Sequence, residues 1–162
     1  LLYSRSEVNS ETPIAQAKEY LDAKGVKYIE KTGNTTDEVL SAASELAERC
    51  DAVFTPTDNV VMAAESAVAE ILNEAGVPHY TGADSFVYSG AFTTCGVNYT
   101  ELGEKTAEMA FDILLGGEIP AYKVMDGGII TVNTEVAAKL GIDYSAFNDM
   151  ANTVIEVVTS EE

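Results

Sequence analysis

Three helix-patterned stretches end in a glycine followed at once by a β-branched residue: Lys24-Gly25-Val26, Ala75-Gly76-Val77 and Leu140-Gly141-Ile142. Glycine closes a helix in the left-handed conformation, and the residue behind it opens an extended segment. The first two of these turns punctuate a regular alternation. Leu1 to Ser4 is apolar and then turns polar. Pro13 to Lys24 carries Ile14, Ala17 and Leu21 at helical spacing, and Val26 to Glu30 reads as a strand. Thr35-Thr36-Asp37-Glu38 forms a capping box, with Thr35 as N-cap. Behind it, Val39, Ala43, Leu46 and Cys50 share one helix face. Ala52 to Phe54 is the next strand. Val60, Ala64, Ala67, Val68, Ile71, Leu72 and Ala75 then make a broad stripe on one helix, and Val77 to Tyr80 is a strand again. Such units in series predict an α/β fold: a parallel sheet flanked by helices on both faces, three layers deep, with right-handed connections. In such a sheet, ligands bind beyond the C-terminal ends of the strands.

The second half is less regular. Phe86 to Tyr88 and Ala91 to Val97 are apolar and β-prone. Thr100 is placed to cap a helix over Glu101 to Leu115, which Gly116-Gly117 and Pro120 end. Ile129 to Val132 reads as a strand, with a short helix from Asn133 or Thr134 to Leu140. Thr153 to Val158 has strand-like composition, and Ser160-Glu161-Glu162 reads as a frayed end.

Composition narrows the chemistry. At 162 residues and 46% apolar, the chain has enough for one domain with a real core. Nine Lys and Arg against 27 Asp and Glu give a net charge of −18. That charge repels phosphate backbones and anionic membranes, so nucleic acid is not an expected partner. No apolar run is long enough to span a bilayer. No signal-peptide pattern is visible, and the apolar opening without an initiator Met reads as a chain cut inside a strand. Cys50 and Cys95 read as buried free thiols rather than a disulfide framework. The one histidine, His79, lies in a strand beside Pro78 and reads as a partly buried structural residue. Phosphate-binding glycine loops, the G-x-S-x-G elbow and H-E-x-x-H are all missing. The reading is therefore of a protein that is not an enzyme, with no metal, no cofactor and no catalytic residues.

What remains is a concentration of polar residues at strand ends: Ser4 to Ser10, Thr55-Pro56-Thr57-Asp58-Asn59, and Thr81-Gly82-Ala83-Asp84-Ser85. In a parallel sheet these three loops converge on one edge. Their hydroxyls, amides and helix N-terminal N–H groups suit an anion, and Asp58 suits an ammonium group. Together they fit a small zwitterion. The same residue types are also the preferred helix N-caps, and both readings stand at this point.

The ordered motifs Tyr3-Ser4-Arg5-Ser6-Glu7-Val8-Asn9-Ser10, Asp51 to Val61, Gly90-Ala91, Asn98 to Gly103, Leu114 to Pro120 and Val132-Asn133 resemble the ABC transporter substrate-binding proteins of the tryptophan/tyrosine type. The resemblance covers roughly residues 1 to 142. It implies one lobe of a type I periplasmic-binding-protein fold and an extracytoplasmic, periplasmic or lipid-anchored location. It also implies a small ligand, with amino acids and especially aromatic ones favoured, and a membrane permease as partner. By the same resemblance, residues 1–99 and 129–142 form the second lobe of such a protein, 100–128 return to a first lobe, and 143–162 are a tail. The expected ligand-binding residues are Ser6, Asn9 and Ser10 in the first loop, Thr57, Asp58 and Asn59 in the third-strand loop, and Asp84 in the fourth. Asp58 is the expected partner of a ligand ammonium, with Asn59 and Ser10 as donors. Without a first lobe, the apolar face of Glu101–Leu115 is expected to be covered by a second chain in a homo-oligomer or by docking on this lobe. Two alternatives remain: a ligand-sensing domain of a regulator or receptor with the same fold, and a small flavodoxin-like enzyme.

Overall fold

The computed structural model describes residues 1–120 and 127–160. The expected fraying at Glu161-Glu162 and part of the 100–128 segment lie outside them. The first βα unit runs from β1 (Leu2–Tyr3) into α1 (Val8–Ala23). The helix starts earlier than expected, with Pro13 inside it. Gly25 (φ +67°) turns the chain, and the Val26 N–H closes the helix end on the Leu21 carbonyl. That closure leaves Val26 half exposed, and the chain meets β1 only near Ile29. The strand expected at Val26–Glu30 is thus displaced to β2 (Lys31–Thr32), parallel to β1.

The capping box forms: Thr35 accepts from the Glu38 N–H at the start of α2 (Thr36–Ala47). Glu38 reaches back to the N–H of Asn34 rather than to the cap itself. β3 (Val53–Thr55) then leads to α3 (Asn59–Met62) and α4 (Glu65–Glu74). The sequence reads these two as one helix, but the chain breaks at Ala63–Ala64, where Ala64 leaves helical geometry (φ −109°, ψ 1°). β4 (His79–Thr81) pairs parallel with β3. Phe86 to Tyr88, expected to extend, instead lie in α5 (Asp84–Tyr88). A helical turn sends Phe86 and Val87 together into the core, and a run of three apolar residues carries no period to reveal this.

β5 (Thr93–Gly96) pairs parallel with β4. The chain then leaves the sheet through α6 (Tyr99–Leu114) and returns as β6 (Ile129–Asn133), antiparallel to β5. The sheet is thus mostly parallel, as expected, with one antiparallel pair where the chain returns: no residue of α6 is buried, so this connection is not a crossover helix laid back on the sheet. α7 (Thr134–Leu140), α8 (Phe147–Met150) and β7 (Thr153–Val157) complete the chain, with β7 parallel to β6. The larger sheet has the order β3-β4-β5-β6-β7, with β1 and β2 as a separate pair.

The main core lies between sheet and helices: Leu2, Val53, Val61, Val68, Leu72 and Phe86 pack with Val39, Ala43 and Leu46 of α2. A second cluster of Phe92, Val132, Val136 and Ala137 supports β6. Leu1, Tyr3 and Ile14 form a third, against which Phe54 of β3 packs. The thiols differ from expectation. Cys50 is only half-buried against the main core, and Cys95 is exposed on β5. His79 is buried completely rather than in part.

Candidate functional site

The three polar loops meet at the C-terminal ends of β1, β3 and β4, as the parallel register of the first half requires. They are stitched together side by side. The Asn9 amide donates to the Thr57 carbonyl, and the Thr57 hydroxyl donates to the Gly82 carbonyl at 3.2 Å. The Asn59 amide donates to the Glu7 carboxylate at 2.7 Å. Gly82 permits the close approach: a Cβ there would lie 2.5 Å from the Thr57 backbone nitrogen.

Asp58 is the hub, and it faces inward. One carboxylate oxygen accepts the Ser4 N–H at 2.7 Å and the Ser10 hydroxyl at 2.6 Å. The other accepts the N–H groups of Val60 and Val61, each at 3.0 Å, and so caps α3. Asp58 is 1% exposed. Four donors fill the acceptor directions a carboxylate offers, so Asp58 is not presented to a ligand ammonium as expected. Ser10 is equally buried, its hydroxyl committed to Asp58. Ser6, Asn9, Thr57 and Asn59 are exposed, and Asp84 is half-buried. Of the expected residues, then, five reach an open surface and two form the internal tie beneath it.

Beyond the third loop, Asp84 joins Thr94, Asn98, Tyr99 and Thr131 around a hollow of about 180 Å³. The sequence reading missed these last four. Asn98 carries the available signal, an Asn directly before a helix, and it rather than Thr100 is the N-cap. Its side chain caps α6, accepting from the N–H groups of Thr100 and Glu101 at 2.9 and 3.1 Å. The hollow is smaller than the 300–1,000 Å³ typical of ligand pockets. It is a wall, not an enclosure. Arg5, the one cation in the three loops, leans toward Glu30 at 3.8 Å. Among the described residues no group of three or more His, Cys, Asp or Glu side chains is arranged to hold a metal. No helix among them is long and apolar enough to cross a membrane.

The family model for ABC transporter substrate binding proteins matches residues 1–152. The chain belongs to this family. One relative within reach of this substrate-binding family is a tyrosine-binding protein of Clostridioides difficile (strain R20291), 32% identical over 133 residues, which are 80% of this chain and 39% of the relative. Among solved structures, a ligand-free, open substrate binding protein with adhesive properties from Clostridium difficile superposes with a TM-score of 0.78 at 33% identity. It matches 98% of this chain and 53% of its own. An ABC domain in complex with L-Trp from Streptococcus pneumonia gives a TM-score of 0.81 at 26% identity, over 95% of this chain and 53% of that one. A conserved domain protein from Vibrio cholerae gives 0.81 at 28%, over 94% and 53%. The chain thus spans about half the length of these solved relatives, and less of the curated one.

Proposed function

We propose that this chain supplies one wall of an amino-acid site in an extracytoplasmic, non-catalytic substrate-binding protein that serves an ABC permease. Aromatic amino acids are the favoured ligands. The observation that carries the reading is the stitched loop edge. Asn9, Thr57 and Gly82 lock three loops together, so that Ser6, Asn9, Thr57 and Asn59 stand on one open face with Asp84 at its margin. The family match and the tyrosine and tryptophan named for its relatives support the ligand class.

On this reading residues 1–99 and 129–142 are one lobe, 100–128 pass to a facing lobe, and 143–162 are a tail. The α6 face is then an interface. Docking back on this lobe, one of the two covers expected, does not occur, since α6 has no buried residue. In the isolated chain a second copy is the proposed cover. Calorimetric titration against the standard amino acids tests the ligand class. Saturable heat is expected for L-tyrosine or L-tryptophan, weakened about five-fold by N59A, which removes a hydrogen-bonding group worth about 1 kcal/mol. Binding of aliphatic or acidic amino acids in preference to aromatic ones would overturn the assignment.

A further inference from the structure

The Thr55–Asn59 loop is closed from beneath by a single imidazole. His79 is fully buried, and its two ring nitrogens face opposite ends of one stretch of chain. Nε2 lies 2.8 Å from Thr55 Oγ1, and Nδ1 lies 2.9 Å from Glu65 Oε1. Between Thr55 and Glu65 lie Pro56, Thr57, Asp58, Asn59 and the rest of α3. The parallel register sets Val53 opposite His79, so Thr55 is the diagonal neighbour of the imidazole across the strands. Glu65 opens α4 immediately after the break at Ala63–Ala64. Phe86 of α5 meets the ring edge-on at 6.5 Å and 88°.

Nothing in core packing alone calls for these groups. Glu65 is 1% exposed, and its Oε2 has no hydrogen-bond partner. An acceptor buried without a partner destabilises the fold, and apolar side chains of similar size would fill the space without that penalty. Carboxylate, imidazole and hydroxyl stand in the order of a hydrolytic triad. Thr55, however, is 0% exposed and no substrate reaches it, so it is not a nucleophile.

We propose that His79 and Glu65 are positioning residues for the ligand loop: the imidazole ties Thr55 to Glu65 and so fixes Thr57, Asp58 and Asn59 between them. Tying both ends of a segment reduces the freedom it has left to lose when a ligand binds. The clamp stands on geometry alone; its effect on affinity rests on the function proposed above.

Amide hydrogen exchange followed by NMR on the 162-residue chain reads the clamp directly. T55V keeps the side chain's shape and removes its hydroxyl. Exchange at Val60, Val61 and Met62 is expected to rise about ten-fold relative to the amides of β5 and β6, and T55S is expected to reverse it. E65L should act like T55V, whereas E65Q keeps an acceptor for the ring and should leave exchange unchanged. Exchange that rises equally in α3 and the sheet, or that T55V and E65L leave unaltered, overturns the clamp. Titration of L-tyrosine then separates the two claims. Binding about ten-fold weaker in T55V than in the wild-type chain supports loop positioning, and equal binding overturns it. If the wild-type chain does not bind L-tyrosine, the proposed ligand class fails while the exchange result still decides the clamp.

Discussion

At Asp58, four donors from one loop and two helices converge on a single buried carboxylate. Two of them, the Val60 and Val61 N–H groups, make it a helix cap. The other two, from Ser4 and Ser10, lie 54 and 48 residues away and make it a bridge between loops. The cap was legible in the sequence because it is local. The bridge was not, because no spacing rule connects residues so far apart. Thr35 shows the contrast: its capping partner is three residues on, and the sequence names both. D58A should destabilise the chain by about 3 kcal/mol in urea unfolding, since it loses a cap and strands buried donors. D58N should retain the cap but place an amide N–H against the Ser4 N–H, with a loss of about 1–2 kcal/mol. Were Asp58 held free for a ligand ammonium, D58A would leave the ligand-free protein as stable as before.

Among the elements, those with a clear period or cap were readable. Those fixed by distant contacts were not. The stripe of α2 and the Asn133-to-Leu140 helix came through because their apolar positions recur and their ends are marked. The α3–α4 break escaped because Val60, Ala64, Ala67 and Val68 keep helical spacing across it. Just behind the break, Glu65 meets His79 at 2.9 Å, a contact 14 residues apart in sequence that no period reveals. That contact has a pH signature. Burial pushes the Glu65 carboxyl above its ordinary value of 4.5, and the attraction of His79 offsets this only in part. The folded state therefore keeps a proton that the unfolded chain has already released. Its contribution to stability is fully present below 4.5 and is lost as pH rises through the folded value. E65Q removes this titration. Urea unfolding from pH 4.5 to 8 should show the wild-type chain losing stability relative to E65Q as pH increases. Parallel pH profiles would mean that the carboxyl ionises in the folded chain as it does in water.

For the molecule as a whole, apolar surface and charge oppose one another. Phe111, Leu114, Leu115 and Ile119 are 61, 84, 73 and 79% exposed in and just beyond α6. Burying one such side chain fully is worth roughly 1.5–3 kcal/mol. The net charge of −18 acts against association of two copies. Sedimentation should therefore show self-association that strengthens with added salt, as screening weakens the repulsion, and that L114E abolishes. A monomer at all salt concentrations would mean that α6 is not an interface between copies. The proposed two-lobe plan rests on the ordered motifs alone, since no period or cap within the chain points to a second lobe. The chain carries the strand ends of the one proposed wall, and among its described elements α6 has no buried residue, as a helix that passes to a partner would.

The most direct test of the central claim is a map of amide chemical shifts as L-tyrosine is added to the isotope-labelled chain. With one wall present, binding is expected on the order of millimolar. The perturbed amides are expected to cluster at Ser6, Asn9, Thr57, Asn59 and Asp84, with β7 and α7 unmoved. Saturable shifts centred anywhere else, or none with the chain folded, would contradict it.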